Sequence, residues 1–364
     1  MGQRTMGVEE EFLLVDARDG RVRAAAAATL GYGSALTGHT DLDSELQLQQ
    51  VETNTDPCTS LPELRQQLRK ARQRASEAAR AAGVEIAALG SSPLPWESAI
   101  TPGQRYHRIR DQFRLLAEDQ LTCGCHVHVA VDSEDEGVAV LDRIRVWLAP
   151  LVALSANSPF WQGEDSGYAS YRAEVWSRWP SAGPTETFGS AAGYHDVVRA
   201  MTSSRTVLDS GMVYFDARLS EHYPTVEIRV ADVCGRTDDA VLLAALSRAL
   251  VNTAEREWRS GQEPVEARVA LLRLAAWQAA RDGLGGELLD PLTHRPVPAR
   301  DAVRALLDHL RDDLADSGDL AEVEELCAEL LARGNGAALQ RASYRRTGQL
   351  RDVVADAVHR TLTG

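Results

Sequence analysis

The sequence predicts an α+β fold built on a largely antiparallel sheet, and three observations carry that prediction. Stretches of period-two alternation are mixed with helically spaced stretches through the first two-thirds of the chain. Their connections vary in length and kind. From Thr237 onward the spacing is almost wholly helical.

Taken in order, Met6–Val15 alternates and reads as the first strand, and Leu46–Asn54 as the second. Ser60-Leu-Pro-Glu63 is a capping box with Pro just inside it. It opens a helix with Leu61, Leu64, Leu68, Ala71 and Ala75 on one face, ending at Gly83. Val84–Leu89 is a short apolar strand closed by Gly90-Ser-Ser-Pro93. Gln104–Gln120 spaces Tyr106, Ile109, Phe113 and Leu116 for the core face of a single helix. Leu121–Asp132 is the next strand, and Ser133-Glu-Asp-Glu136 caps a long helix to about Ala156. Ser158–Gly189 has little periodicity, and a connection that long is functional or disordered. Its aromatics, Phe160, Trp161, Tyr168, Tyr171, Trp176 and Trp179, argue for order. Gly211–Leu219 and Tyr223–Val233 look like a strand pair. Helices are expected at about 237–259, 265–282, 300–316, 319–333 and 337–362. Trp147, Trp258 and Trp277 fall on helical core spacing and read as packing residues. Gly31-Tyr-Gly33 and Gly283-Leu-Gly-Gly286 are half of a dinucleotide fingerprint without its strand–helix context, and read as turns.

Composition removes several classes of function. The 364 residues carry a formal net charge of −14, which argues against nucleic-acid binding and a polybasic membrane anchor. Of 39 basic residues one is lysine, Lys70, and it lies in a charged helical stretch without a nearby glycine. A P-loop or a kinase-type strand lysine is therefore excluded, and Schiff-base chemistry nearly so. The five cysteines are odd in number and irregularly spaced, no signal peptide fits the start, and no apolar run reaches spanning length. The expected setting is cytoplasmic and reduced.

The alternating strands carry the chemistry. Glu9 and Glu11 share one face of the first strand, while Val8, Phe12 and Leu14 share the other with Glu10 among them. Two adjacent carboxylates on an apolar scaffold favour a cation. Leu48, Gln50, Glu52 and Asn54 share a face of the second strand, and Glu45 reaches the same region if the chain bends. In Leu121–Val131, Cys123, Cys125, Val127 and Val129 face one way, and Gly124, His126 and His128 the other. This alternation opposes a zinc reading of Cys-x-Cys-His-x-His, because thiols and imidazoles point to opposite faces. In Pro224–Val233, Val226, Ile228 and Val230 form the core face, with Glu227 and Arg229 on the other. One sheet face would then hold Glu9, Glu11, Glu52, His126, His128, Glu227 and Arg229. That many hard oxygen ligands suggest Mg²⁺ or Mn²⁺. With almost no lysine, phosphate would be met by arginine, backbone N–H groups and metal; Arg218 offers a second guanidinium. Tyr168, Tyr171 and Arg172 lie in a stretch that could act as a lid.

These segments resemble the glutamate–cysteine ligase type 2 family, in its bacterial carboxylate–amine ligase branch. The matching motifs are Gly7-Val-Glu-Glu-Glu-Phe-Leu-Leu14, Val51-Glu-Thr-Asn-Thr55, Cys123-Gly-Cys-His-Val-His-Val129 and Ser158-Pro-Phe-Trp-Gln-Gly163. Asp165-Ser-Gly-Tyr-Ala-Ser-Tyr-Arg172, Tyr223-Pro-Thr-Val-Glu-Ile-Arg229 and Gly334-Asn-Gly-Ala337 also match, in family order and over nearly the whole chain. Leu219 departs from the pattern, standing where the family usually has Pro. The resemblance implies a fold like glutamine synthetase and the guanidino kinases: a curved, mainly antiparallel sheet forming a funnel, helices on one face, and a helical C-terminal region. It implies one catalytic domain over 1–364, with 1–235 bearing the sheet and active site and 236–364 a helical buttress. By motif position, Glu9, Glu11, Glu52 and Glu227 would bind metal, His126 would lie near nucleotide phosphates, and Arg229 would touch the transferring phosphate. Glu52, His126 and Arg229 are the catalytic candidates; Tyr168, Arg172, Arg218 and His128 would contact nucleotide or substrate.

The implied reaction is ATP-dependent joining of glutamate, or another carboxylate, to cysteine or another amine through an acyl phosphate. Small molecules are the expected partners, with Mg²⁺ or Mn²⁺ as the metal, no nucleic acid and no membrane; the family's habit implies a homodimer. A guanidino phosphotransferase, a metal-dependent hydrolase and a nucleotide- or metal-binding protein without turnover are the competing readings.

Overall fold

The computed structural model describes residues 3–37 and 42–364. Its strands are β1 (Met6–Val15), β2 (Asp43–Ser44), β3 (Gln50–Asn54), β4 (Glu85–Ala87), β5 (Gly124–Ala130), β6 (Phe160–Trp161), β7 (Glu164–Asp165), β8 (Ala217–Leu219), β9 (Thr225–Asp232), β10 (Glu287–Leu289) and β11 (Pro296–Pro298). Seven of them form one antiparallel sheet, ordered β2-β3-β1-β5-β9-β8, with β4 also paired to β1. β6–β7 and β10–β11 are separate hairpins.

One face of the sheet is apolar because of the period-two pattern. Met6 and Val8 of β1, Cys125, Val127 and Val129 of β5, and Val226 and Ile228 of β9 are buried in one core with helices Glu134–Ile144, Leu148–Ser155 and Thr237–Arg259. Phe12 and Leu14 belong to a second core with Ala75, Ala78 and Ile86. Each fully buried Val, Leu, Ile or Phe contributes roughly 1.5–3 kcal/mol of transfer free energy, so register is strongly held: a one-residue slip would reverse both faces. A third core (Ile109, Trp179, Val207 and Met212) lies among the segments that wall the cleft described below. The capping box forms, with the Ser60 hydroxyl accepting from Glu63 N–H at 3.4 Å and the Glu63 carboxylate from Thr59 N–H at 3.3 Å.

Several expected elements are interrupted. The helix expected over Gln104–Gln120 breaks at Arg114, whose φ is 54°, into Gln104–Phe113 and Leu115–Glu118. The second piece aims the Ala117 carbonyl at the buried Gln47 amide, 3.1 Å away. The helix expected to reach Ala156 is reset by a 3-10 turn, Arg145–Trp147, ahead of Pro150, which lacks the N–H of a helix interior. Asp142, buried there, accepts from Phe188 and Gly189 N–H at 2.7 and 2.8 Å. The last expected helix is two, Gly336–Thr347 and Leu350–Thr363, divided by Gly348 at φ 68°. Gly31 and Gly33 lie inside helix Ala26–Thr37, not in a turn; a Cβ on Gly33 would come within 3.2 Å of Leu42. Trp277 is not a core residue, being 39% exposed. The strand expected at Gly211–Leu219 shrinks to β8, and Ser158–Gly189 contains the β6–β7 hairpin and helix Tyr171–Trp176. All five cysteines are free and buried, and no helix among the described residues is long and apolar enough to cross a membrane.

Candidate active site

Strand register assembles the polar face of the sheet. Glu11 lies opposite Glu52 of β3, Glu9 opposite His126 of β5, His128 opposite Glu227 of β9, and Arg218 of β8 opposite Glu227. Alternation turns all of these side chains to the side away from the aliphatic core. They line a cleft of about 320 Å³ together with Glu45, Gln50 and Arg229.

The contacts within it are short. His126 Nδ1 lies 3.2 Å from Glu9 Oε2, and His128 Nε2 lies 3.0 Å from Glu9 Oε1. His128 Nδ1 is 3.0 Å from the Thr225 hydroxyl. Glu11 accepts from Gly124 N–H at 2.6 Å. Glu227 receives Arg218 Nε at 2.7 Å and is also ion-paired to Arg229. Three sets of ligand atoms converge within 4.8 Å: Glu9, Glu52 and His126; Glu9, His128 and Glu227; and Glu11, Glu45 and Glu52.

Electrostatics divides these acids into two groups. Burial opposes ionisation of Glu9, but hydrogen bonds from His126 and His128 hold its carboxyl well below the usual range. Burial likewise opposes ionisation of Glu227, and Arg229 and Arg218 outweigh it, bringing it to about 2. Glu45 and Glu52 behave oppositely. Burial and the adjacent Glu11 carboxylate push Glu45 up to about 8, and burial with Glu45 and Glu9 raises Glu52 well above its ordinary value. Crowded acids of this kind are what a divalent cation relieves, and hard oxygen donors fit Mg²⁺ or Mn²⁺. Burial and Arg229 lower His126, favouring neutral imidazole, and its Nε2 is buried without a hydrogen-bond partner among the described residues. The donor set therefore fits a divalent metal.

Gly124 is required by close approach. A Cβ there would collide with the Arg172 guanidinium and stand 2.9 Å from His126 Nε2. Arg172 reaches this position because Asp232 fastens the preceding loop. Asp232 accepts from Asn157 N–H, Ser158 Oγ–H and Ser170 Oγ–H, each at 2.7 Å, and Ser158 Oγ accepts Arg172 N–H at 2.9 Å.

Of the residues singled out from sequence, Glu9, Glu11, Glu52, His126, His128, Arg218, Glu227 and Arg229 line the cleft. Arg172 lies beside it, against Gly124 and over the Trp176 ring. Tyr168 does not line it: its hydroxyl accepts from the Trp277 indole N–H at 3.2 Å and its carbonyl from Arg341. Glu45, expected to arrive by a bend, is in the cluster. Tyr106, expected on the core face of a helix, instead walls the cleft, together with Trp176, Tyr214 and Tyr223, for which the sequence suggested no part in the site. Sequence reasoning also passed over Asp216, although its two-residue spacing from Arg218 marks it for the same face.

The fold is that of the glutamate–cysteine ligases. Among solved structures the chain resembles glutamate–cysteine ligase from Francisella tularensis in complex with AMP, with a TM-score of 0.75 and 13% identity, over 100% of this chain and 89% of that one. It also resembles a bifunctional glutathione synthetase from Pasteurella multocida, with a TM-score of 0.70 and 15% identity, over 99% and 52% of the two chains. Residues 5–356 match the model of glutamate-cysteine ligase family 2, and the chain belongs to that family. A Streptomyces avermitilis protein that is 55% identical, over 98% of this chain and 99% of its own, carries the provisional name glutamate–cysteine ligase 2-1. A Streptomyces coelicolor relative, 54% identical over the same shares, is provisionally named glutamate–cysteine ligase 2.

Proposed function

We propose that the chain is an ATP-dependent ligase joining the γ-carboxylate of glutamate to an amine through an acyl phosphate. The observation that carries this reading is the register-built row Glu52–Glu11, Glu9–His126 and His128–Glu227–Arg218, with Arg229 beside it, in a member of this family.

The chemistry explains the parts. A carboxylate is a poor acyl donor because oxide would have to leave. Transfer of the γ-phosphoryl of ATP gives an acyl phosphate, from which phosphate leaves readily once the amine attacks. No protein nucleophile is needed. Glu9, Glu11, Glu45, Glu52 and Glu227 would hold Mg²⁺ or Mn²⁺, which supplies charge neutralisation across the phosphates. Arg229, held by Glu227, presents fixed donors to the transferring phosphoryl group, and preorganised charge of this kind needs no rearrangement as the reaction proceeds. Arg218 supports the same carboxylate from β8 and adds a second guanidinium near the phosphates. The Glu9 contact favours the His126 tautomer protonated on Nδ1, so Nε2 offers a lone pair to a cation or an N–H donor. Arg172, buried without a carboxylate partner among the described residues, is suited to a substrate carboxylate; Tyr168 has no direct part in this reading.

ADP release tests it, with ATP, Mg²⁺ and glutamate, with and without cysteine, and with other amines in its place. The expected result is release that requires both glutamate and an amine and falls at least about 100-fold in Glu52→Gln. Release independent of any carboxylate would overturn the reading in favour of a hydrolase.

A further inference from the structure

A second cavity, of about 260 Å³, adjoins the acidic cleft and shares Trp176 and Arg229 with it as a common wall. Its other walls are largely apolar, including Val152, Ala182, Pro184 and Trp277. Besides Arg229 the lining carries four charged side chains, Arg172, Glu174, Asp216 and Arg273, and Asp216 and Arg172 are the most deeply buried of them.

The first is Asp216. Its carbonyl accepts Arg229 N–H at 2.9 Å, and the next residues register Ala217 with Ile228 and Arg218 with Glu227. Asp216 thus continues the polar row of the sheet into the second cavity. Its carboxyl group has no hydrogen-bond or ion-pair partner among the described residues. Burial pushes it up to about 7, against the opposing pull of Arg273 and Arg172.

The second is Arg172, 2% exposed, with no carboxylate in ion-pair range among the described residues. Among the described residues its Nε has no hydrogen-bond partner, and its terminal nitrogens reach only the Val230 and Arg229 carbonyls, both at 3.4 Å. A buried guanidinium so weakly met is suited to an anion. Arg273 adds a further positive charge to the same lining.

An unpaired carboxylate and unpaired guanidinium groups on apolar walls are the complement of a zwitterion with an apolar body. An uncharged nucleobase would leave both charges unmet. We propose that this cavity seats the acceptor of the ligase reaction, and that the acceptor is an α-amino acid with a larger, more apolar side chain than cysteine. Its ammonium group faces Asp216, its carboxylate faces Arg172 and Arg273, and its side chain packs against Trp176 and Trp277. The shared wall at Arg229 brings its nitrogen toward the activated carboxylate. This inference rests on the ligase reading above.

The test measures ADP release with ATP, Mg²⁺ and glutamate, using cysteine, leucine, phenylalanine and 2-phenylethylamine in turn as acceptor. It compares wild type with Asp216→Asn, Asp216→Glu and Trp277→Ala. Leucine or phenylalanine is expected to exceed cysteine at least about tenfold in kcat/KM, and 2-phenylethylamine, lacking a carboxylate, to fall below phenylalanine. Asp216→Asn is expected to raise the acceptor KM at least about tenfold, more than the KM for ATP, with partial recovery in Asp216→Glu. Trp277→Ala is expected to narrow the preference for bulky acceptors. A preference for cysteine, or an Asp216→Asn effect falling on ATP, overturns the proposal. Hydroxylamine in place of the acceptor separates the two claims. Hydroxamate formation without turnover of any amino acid overturns the acceptor assignment alone; no hydroxamate and no turnover overturns the ligase reading with it.

Discussion

The Glu10 carboxylate receives two hydrogen bonds from the Arg72 guanidinium, at 2.5 and 2.9 Å, with both side chains buried. Glu10 lies between Glu9 and Glu11, and alternation sends it to the opposite side of β1. Three consecutive carboxylates therefore serve two purposes: two face the cleft, and one anchors the strand from behind. Arg72 also donates to the carbonyls of Cys234 and Thr361, tying helix Leu61–Ala81 to the end of β9 and to the last helix.

Removing one partner of this pair leaves a buried charge alone. Arg72→Met is expected to destabilise the fold by about 3–5 kcal/mol, measured by urea denaturation. A paired Glu10→Leu/Arg72→Met variant should recover much of that loss. A single variant within about 1 kcal/mol of wild type would contradict the account.

Gly124→Ala tests the close approach of Arg172 and His126. The added methyl must displace the guanidinium, while β5 keeps its backbone pairing. Activity is expected to fall about 10²-fold with circular dichroism unchanged, because small misplacements near the chemistry are costly. Unchanged activity would mean that Arg172 is free to move away without consequence.

His309 gives a pH signature remote from the cleft. It stacks on Trp147 with ring centroids 4.2 Å apart, and burial lowers its pKa from 6.5 to about 4. Glu257 is the nearest carboxylate, 3.9 Å away. The folded form thus holds the imidazole neutral, so its stabilising contribution is present above pH 6.5 and is lost as pH falls through about 4. Thermal denaturation from pH 7 to 4 should show a steeper decline in wild type than in His309→Phe. Parallel curves would contradict the assignment.

Metal binding can be read without turnover. Titration with Mn²⁺, followed by electron paramagnetic resonance, is expected to show binding that Glu52→Gln weakens about 10–100-fold. Equal binding by the variant would remove Glu52 from the ligand set.

Much of this site was legible in the sequence because a strand has one geometric rule. Alternation alone separates Glu9 and Glu11 from Glu10, and His126 and His128 from Cys123 and Cys125. Register was not legible, since pairing Glu11 with Glu52 and His128 with Glu227 depends on contacts far apart in the chain. Nor was the partner of Glu10, because nothing local marks Arg72 among its neighbouring arginines. Tyr168 shows the opposite failure: a motif neighbour of Arg172 that packs away from the cleft on Trp277. The helix break at Arg114 was not legible because what accompanies it is a tertiary hydrogen bond, from Gln47 to the Ala117 carbonyl, while the reset at Arg145–Trp147 stands ahead of Pro150, a signal that the apolar spacing overrode.

Hydroxylamine trapping tests the central claim most directly, because it reports the acyl phosphate without requiring the natural acceptor. With ATP, Mg²⁺ and glutamate, wild type is predicted to form γ-glutamyl hydroxamate in step with ADP, and Glu52→Gln and Arg229→Gln are predicted to form neither. ADP release with no hydroxamate, at hydroxylamine concentrations that saturate the reaction, would contradict an acyl phosphate and the ligase reading built on it.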